Sequence, residues 1–364
     1  MDRAIQNQYV PDHIIPPGEI LLETLEERGM SQAELAERTG RRKKTINEII
    51  KGKAPITSET AMHLERVLGV PAGFWNNLEQ NYRADLARIE EHHRLTKEIR
   101  WLDNFPIKEL NQKEWIGFNE DKVEQLKKLL NFFGVASPKQ WHEVWNAGTV
   151  SFRKSPAFRS NPWSMAAWLR YGELAALVID CRPYDKSGFK KALAEIRLLT
   201  AHPPEVFVPK TKRLCAEAGV AAVFVPELKK TRVSGATRWL TPNKALIQLS
   251  LRYKSNDQLW FTFFHEAGHI LLHGKREVFV DNDENKGKKE DEANKFAANF
   301  LIPVQEIRNF LCSVKKSRIS KAAITRFSRE IGIAPGIVVG RLQHEGILPR
   351  SHCNDLKVFY EWSK

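Results

Sequence analysis

No apolar run in this 364-residue chain approaches the ~18 residues that cross a bilayer, so no membrane-spanning helix is expected. Cysteine is sparse. Cys181, Cys215, Cys312 and Cys353 are scattered, with no C-x-x-C pair, which argues against a cysteine-built zinc site or a disulfide scaffold. Reduced thiols in a cytoplasmic protein are the simplest expectation. The N-terminal stretch has no basic-then-apolar leader, and there are no internal repeats or low-complexity tracts. Acidic charge is in deficit: 44 Asp and Glu face 57 Lys and Arg, giving a formal charge of +13 and a pI near 9.5. A polyanionic partner, most simply nucleic acid, suits that balance. The excess is uneven, at −1 over residues 1–84, +6 over 85–230 and +8 over the rest.

What the chain does contain is one dense apolar stretch that carries chemistry. FTFFHEAGHILLH holds His265-Glu266-Ala267-Gly268-His269, an H-E-x-x-H pattern. Residues four apart share a helix face, so His265 and His269 can aim ring nitrogens at one ion. Glu266 is offset by one position and falls beside that ion, where a general base would take a proton from an attacking water. Gly268 permits close approach of another backbone, at some cost in helix propensity. The longer three-histidine pattern is absent, because Leu272 and Lys275 stand where its glycine and last histidine would be. The third ligand should therefore be a carboxylate. Downstream, EDEANKFAA reads as a second helix with Ala293, Phe296, Ala297 and Phe300 inward. Glu290 is the expected third metal ligand and Asn294, four residues on, a group that fixes one histidine ring. Glu292 is the alternative ligand, at a different helical phase. His273 is expected to cap the helix or pack in the core. A solvated loop is expected over 281–289.

These pieces, FTFFHEAGHILLH, then EDEANKFAA and the FLIP ending, resemble the ImmA/IrrE family of metallo-endopeptidases. The resemblance extends over about residues 215–345. It implies a zincin-like fold, Zn2+ or Mn2+ as cofactor, and cleavage or inactivation of a helix-turn-helix repressor as the activity.

A second pattern lies over residues 14–82. Apolar periodicity and glycine stops predict helices over 19–28, 32–38, 42–51 and 58–68, with Ser31 and Glu34 as a capping box. Two short helices, a Thr39-Gly40 turn and a basic second helix make a helix-turn-helix. Candidate DNA contacts are Arg41, Arg42, Lys43, Lys44 and Asn47 for base edges, with Gln32 and Thr45 on phosphates. The stretch from SQAELAERTG to NNLEQNY resembles the HigA-type antitoxins among the Xre-like repressors. Arg41 and Arg42 replace the small apolar residue and serine usual there, which puts the cap of the reading helix in doubt and implies a different operator preference.

Residues 85–214 show helical periodicity over 120–133, 138–145, 162–179 and 187–200, and six of the ten tryptophans fall between 101 and 168. A helical connector is expected. Phe152 to Arg159 interleaves cations with aromatics, the composition of a single-strand platform, although a packed loop is the preferred reading. A buried strand at 220–225 and a hairpin over 233–239 and 245–253 follow, then helices at 304–314, 319–331 and 335–345 that cap the domain. The expected fold is mainly α with a small β-sheet (α+β). It comprises a five-helix helix-turn-helix domain at 1–84, a connector at 85–214 and a metallopeptidase domain at 215–364.

The function expected from these features is that of a DNA-binding regulatory zinc endopeptidase. Its partners would be an operator duplex, a repressor or antitoxin as substrate, and single-stranded DNA as a trigger. A homodimer is the usual means by which such domains read paired half-sites. The competing expectation is a HigA-like repressor whose metal domain senses or binds a partner without proteolysis.

Overall fold

The computed structural model describes residues 14–153, 161–274, 279–281, 287–314 and 319–362. The chain divides into two compact units, Met1–Ile99 and Arg100–Lys364, where three parts were expected. The expected connector does not stand apart. Its residues from 100 onward share one unit with the sheet and the H-E-x-x-H helix.

The first unit has five described helices: α1 (Pro17–Glu27), α2 (Gln32–Thr39), α3 (Lys43–Ile50), α4 (Ser58–Leu68) and α5 (Ala72–Glu98). Leu21, Leu25, Leu35, Ile46, Ile49, Leu64, Leu68 and Trp75 form its core. Local chemistry sets the ends. The Ser31 hydroxyl accepts the Glu34 N–H at 3.1 Å, while the Glu34 carboxylate pairs with Arg38 at 2.6 Å, so half of the expected capping box forms. Gly40 ends α2 at φ 65°, a conformation other residues adopt at a cost. The Glu79 carboxylate on α5 accepts the Ile56 N–H at 3.0 Å and pairs with Arg83 at 2.7 Å, tying the long helix to the turn before α4.

The second unit begins with helices α6 (Ile107–Gln112), α7 (Lys122–Phe133), α8 (Pro138–Arg153), α9 (Pro162–Leu177), α10 (Lys186–Leu199) and α11 (Pro204–Glu217). The helix α11 was not among the expected elements, and Pro209 lies inside it. Tryptophans knit the earlier helices together: Trp141 stacks on Trp163 at 4.4 Å and meets Trp101 edge-on at 5.7 Å. Trp168 on α9 donates its indole N–H to the Val225 carbonyl at 3.2 Å, which anchors the helical layer to the sheet.

That sheet comprises β1 (Val220–Phe224), β2 (Gly235–Thr241), β3 (Lys244–Leu249) and β4 (Phe279–Asp281), in the order β1-β3-β2-β4. The expected hairpin is antiparallel β2–β3, while β1 pairs with β3 in parallel. The edge strand β4 replaces the first residue of the expected loop. Beneath the sheet runs α12 (Asn256–Leu272), which carries the H-E-x-x-H motif. It is apolar nearly all round and correspondingly buried, with Trp260, Phe263, Phe264 and Ile270 in the core. Each such side chain contributes roughly 1.5–3 kcal/mol on burial.

Next comes α13 (Lys288–Leu301), antiparallel to α12: Phe300 stacks on Phe264 at 5.1 Å, and Glu292 reaches His273. Helices α14 (Val304–Ser313), α15 (Lys321–Glu330) and α16 (Pro335–His344) close the unit. Val338, Val339 and Leu342 of α16 join the core that holds α12. Arg197 on α10 donates to the carbonyls of Phe300, Leu301 and Ile331 at 2.9–3.0 Å, satisfying the C-terminal ends of α13 and α15. No described helix is long and apolar enough to cross a membrane. All four cysteines are free.

In the first unit, a Cβ on Gly18 would lie 2.2 Å from the Ile49 carbonyl oxygen and 2.5 Å from the Ile50 Cα. Gly18→Ala should therefore cost about 3 kcal/mol or more, because backbone cannot move aside as a side-chain tip can. Chemical denaturation of residues 14–99 in the full chain, followed by Trp75 fluorescence, checks this. An unchanged midpoint would show that α1 and α3 do not cross so closely.

Candidate metal centre and helix-turn-helix surface

Two turns of α12 and the first turn of α13 bring together three side chains able to hold a metal ion. The ring nitrogens Nε2 of His265 and His269 are 3.0 Å apart. One oxygen of Glu290 lies 3.2 Å from the first and 3.5 Å from the second. Among the described residues these three form the one cluster of such side chains able to hold an ion, with all donor atoms within 4.8 Å. The pairing depends on Gly268. A Cβ there would come within 3.0 Å of Phe296 and 3.3 Å of the Ala293 Cα, so its absence lets α13 close onto α12.

The outer ring nitrogens decide what the inner ones present. The Asn294 side-chain oxygen lies 2.9 Å from His265 Nδ1 and can only accept, so Nδ1 carries the hydrogen and Nε2 the lone pair. The Nδ1 of His269 meets Nδ1 of His273 at 2.9 Å, and the far nitrogen of His273 lies 3.2 Å from a Glu292 oxygen. Two imidazole lone pairs and one carboxylate oxygen thus converge. Two nitrogens and one oxygen are the protein donors of a catalytic zinc centre with one position left open. The donor set fits a divalent cation.

The protonation of His269 agrees with that. Burial pushes the His269 imidazole down, more than its contacts with Glu290 raise it, so the neutral, ligating form is favoured. Burial pushes the Glu290 carboxyl up, but its contacts with the two imidazoles outweigh this and bring it down to about 2. Glu290 is therefore ionised throughout the neutral range.

Glu266 is buried on the same helix, against β2. Its backbone carbonyl accepts the Thr237 hydroxyl at 3.2 Å. A Cβ on Gly235 would fall 2.8 Å from a Glu266 carboxylate oxygen and 2.6 Å from Thr262 Cγ2, so this glycine gives the side chain its room. Sequence reasoning passed over Gly235, and a glycine at the start of a strand is the signal that could have found it. It also passed over Phe279, which stacks on the His269 ring at 4.0 Å and 16° from β4. The alternative ligand Glu292 faces His273 and not the converging nitrogens, and His273 is a partner of His269 as well as the residue after α12.

In the first unit, Lys43 and Lys44 open α3 and are exposed, and Arg42 is its N-cap without a side-chain capping bond. Thr45 and Asn47 are half-buried, and the Asn47 amide donates to the Gln32 side-chain oxygen at 3.3 Å, joining the start of α2 to the middle of α3. The Arg41 guanidinium lies 2.8 Å from Glu59 on α4, and the Lys44 ammonium lies 3.8 Å from Glu48 one turn on. The interleaved segment at 152–159 lies outside the described side chains.

Two family models match the chain: a helix-turn-helix over residues 21–75 and an IrrE N-terminal-like domain, of the M78 peptidase family, over residues 219–318. The second span contains every residue of the metal centre. No match was found among curated proteins. Among solved structures, an addiction-module antidote protein of the HigA family from Coxiella burnetii is 32% identical, over 24% of this chain and 95% of its own, with a TM-score of 0.22. The antitoxin HigA with its higBA promoter from Pseudomonas aeruginosa gives the same identity, coverage and TM-score. A third structure, a Pseudomonas aeruginosa protein in complex with its operator DNA, is 36% identical over 21% of this chain and 82% of its own, with a TM-score of 0.20. The first unit thus carries a region that matches the helix-turn-helix family, and the second a metallopeptidase-like domain that matches the IrrE N-terminal-like family.

Proposed function

We propose that the protein is a DNA-binding regulatory endopeptidase that uses zinc, or manganese in its place, to cleave a repressor or antitoxin. The convergence of the His265 and His269 nitrogens with the Glu290 oxygen carries this reading. A divalent cation held by these three residues would polarise the scissile carbonyl and acidify the attacking water. Glu266, one position from His265 and shielded from solvent, is the base that takes the proton and returns it to the leaving amine. Burial keeps its carboxylate away from competing solvent, and Gly235 keeps the strand above it from crowding it.

The substrate is best accommodated as an extended segment along β4. This strand is at the edge of the sheet and puts Phe279 against His269, while β2 next to it touches Glu266. Backbone pairing at such an edge supplies affinity without demanding a particular side chain. In the first unit, the N-terminal turn of α3 is the surface proposed to enter the major groove of an operator. Lys43 and Lys44 contact phosphates or base edges there, and the positive end of the helix dipole adds to their attraction. Asn47, oriented by Gln32, is the candidate base reader. The helix-turn-helix family match over residues 21–75, which spans α2 and α3, supports this placement.

Glu266→Gln should retain zinc and lose at least ~100-fold in cleavage, as expected when a general base is removed. Incubation with repressors encoded nearby, with and without single-stranded DNA, followed by mass spectrometry of fragments, gives the readout. Equal fragments from both proteins would exclude peptidase chemistry at this centre and leave the second unit as a sensing module. Gly235→Ala should likewise reduce cleavage while zinc stays bound, because its new methyl meets Glu266 before it meets a ligand. Full activity in that variant would mean that Glu266 does not need its present position. Changing Lys43 and Lys44 together to Ala should lower the slope of log K against log salt for duplex DNA by about two, one for each phosphate no longer neutralised. An unaltered slope would remove this end of α3 from the interface.

A further inference from the structure

His273 follows the last residue of α12, one turn beyond His269 and on the same face. Its side chain is 3% exposed, so it is not a surface histidine. One ring nitrogen lies 2.9 Å from the outer nitrogen of His269, and the other lies 3.2 Å from a Glu292 oxygen. Glu292 sits on α13 and is 43% exposed, so the chain of contacts runs from the buried centre to the surface. Phe279 covers the flat face of His269 at 4.0 Å and meets the His273 ring at 5.3 Å, tilted by 37°.

We infer that His273 and Glu292 are positioning residues that lock the His269 ring with its inner nitrogen bare and aimed at Glu290. The inference rests on reading the centre as a metal site. An ionised carboxylate only accepts hydrogen bonds, so the His273 nitrogen facing Glu292 carries the hydrogen. The other nitrogen of a neutral His273 then holds a lone pair and accepts from His269 Nδ1. His269 is left with its Nε2 lone pair toward the centre, the one tautomer that can ligate there. Asn294 does the same for His265 directly. The two ligands are thus fixed by different means: an amide at first hand, and a carboxylate acting through a second imidazole. Phe279 removes the remaining freedom, because a ring held flat against it at 16° cannot swing about its own axis.

An arm of this kind acts on metal affinity, since groups behind a ligand typically contribute 10–100-fold. Zinc dissociation from the full-length protein is measured by chelator competition for the wild type, Glu292→Ala, Glu292→Gln and His273→Ala. The melting temperature of each metal-free protein is measured in parallel. The expected result is 10–100-fold weaker zinc binding for Glu292→Ala and His273→Ala. Glu292→Gln keeps an accepting oxygen and should recover most of that loss. Melting of the metal-free Glu292 variants should match the wild type, because the side chain is half in solvent. Cobalt in place of zinc adds a spectroscopic readout: the visible bands of Glu292→Ala should shift if the imidazole is no longer held. Wild-type zinc affinity in Glu292→Ala, or equal losses in Glu292→Ala and Glu292→Gln, would overturn the arm. A wild type that binds no zinc would overturn the metal reading itself. If His273→Ala fails to fold, the two Glu292 variants decide the matter alone.

Discussion

The antiparallel crossing of α12 and α13 at Gly268 governs the chemistry of the second unit. With no side chain at that position, Phe296 and Ala293 come down onto the motif helix. The closeness carries Glu290 to the inner nitrogens of His265 and His269, Asn294 to the outer nitrogen of His265, and Glu292 to His273. Polar pairs between two helices would mean little at a solvated surface. The rings of His265, His269 and His273 are buried, where a polar group is costly unless satisfied, so these contacts favour a single register between the helices. The apolar stacking of Phe300 on Phe264 extends the same register away from the site.

The rest of the unit holds that crossing in place from outside. Arg197, from the helical layer that precedes the sheet in sequence, satisfies carbonyls at the far end of α13. The tail does the same for the start of α12: Asn256 exchanges hydrogen bonds with Val358, and Asp257 pairs with Lys357 at 2.8 Å. Both ends of the ligand-bearing helix pair are therefore tied to segments distant in sequence. The ion pair of Glu173 on α9 with the Arg238 guanidinium on β2 follows the same principle, with Arg170 of α9 beside Glu173. The connector residues from 100 onward belong to the unit for this reason.

Much of this was legible in the residues. The H-E-x-x-H spacing gave two candidate ligands and a candidate base on helical periodicity alone, and the spacing of Glu290 from Asn294 put both on one face of the next helix. Ser58–Leu68 matches the predicted helix end to end, because a capping residue and a left-handed glycine bound it. Other elements were hidden. The helix α11 was not among the predicted elements; Phe207 and Cys215 pack inward along it although Pro209 lies inside it. The short strand β4 sits within a charged stretch, and its partner β2 is remote in sequence, with Phe279 in register with Thr237. Arg41 looked like one more groove-facing cation until α4 supplied Glu59 beside it.

The sequence by itself determined which side chains could ligate, which could act as a base and which helix bears the cations of the first unit, because those follow from residue type and helical phase. Only tertiary structure decided which carboxylate faces the imidazoles, what stands behind each ring, and how the strands are ordered. Those depend on how two helices approach, and a missing Cβ at one position and a distant aromatic over one ring set that distance in ways no local pattern encodes.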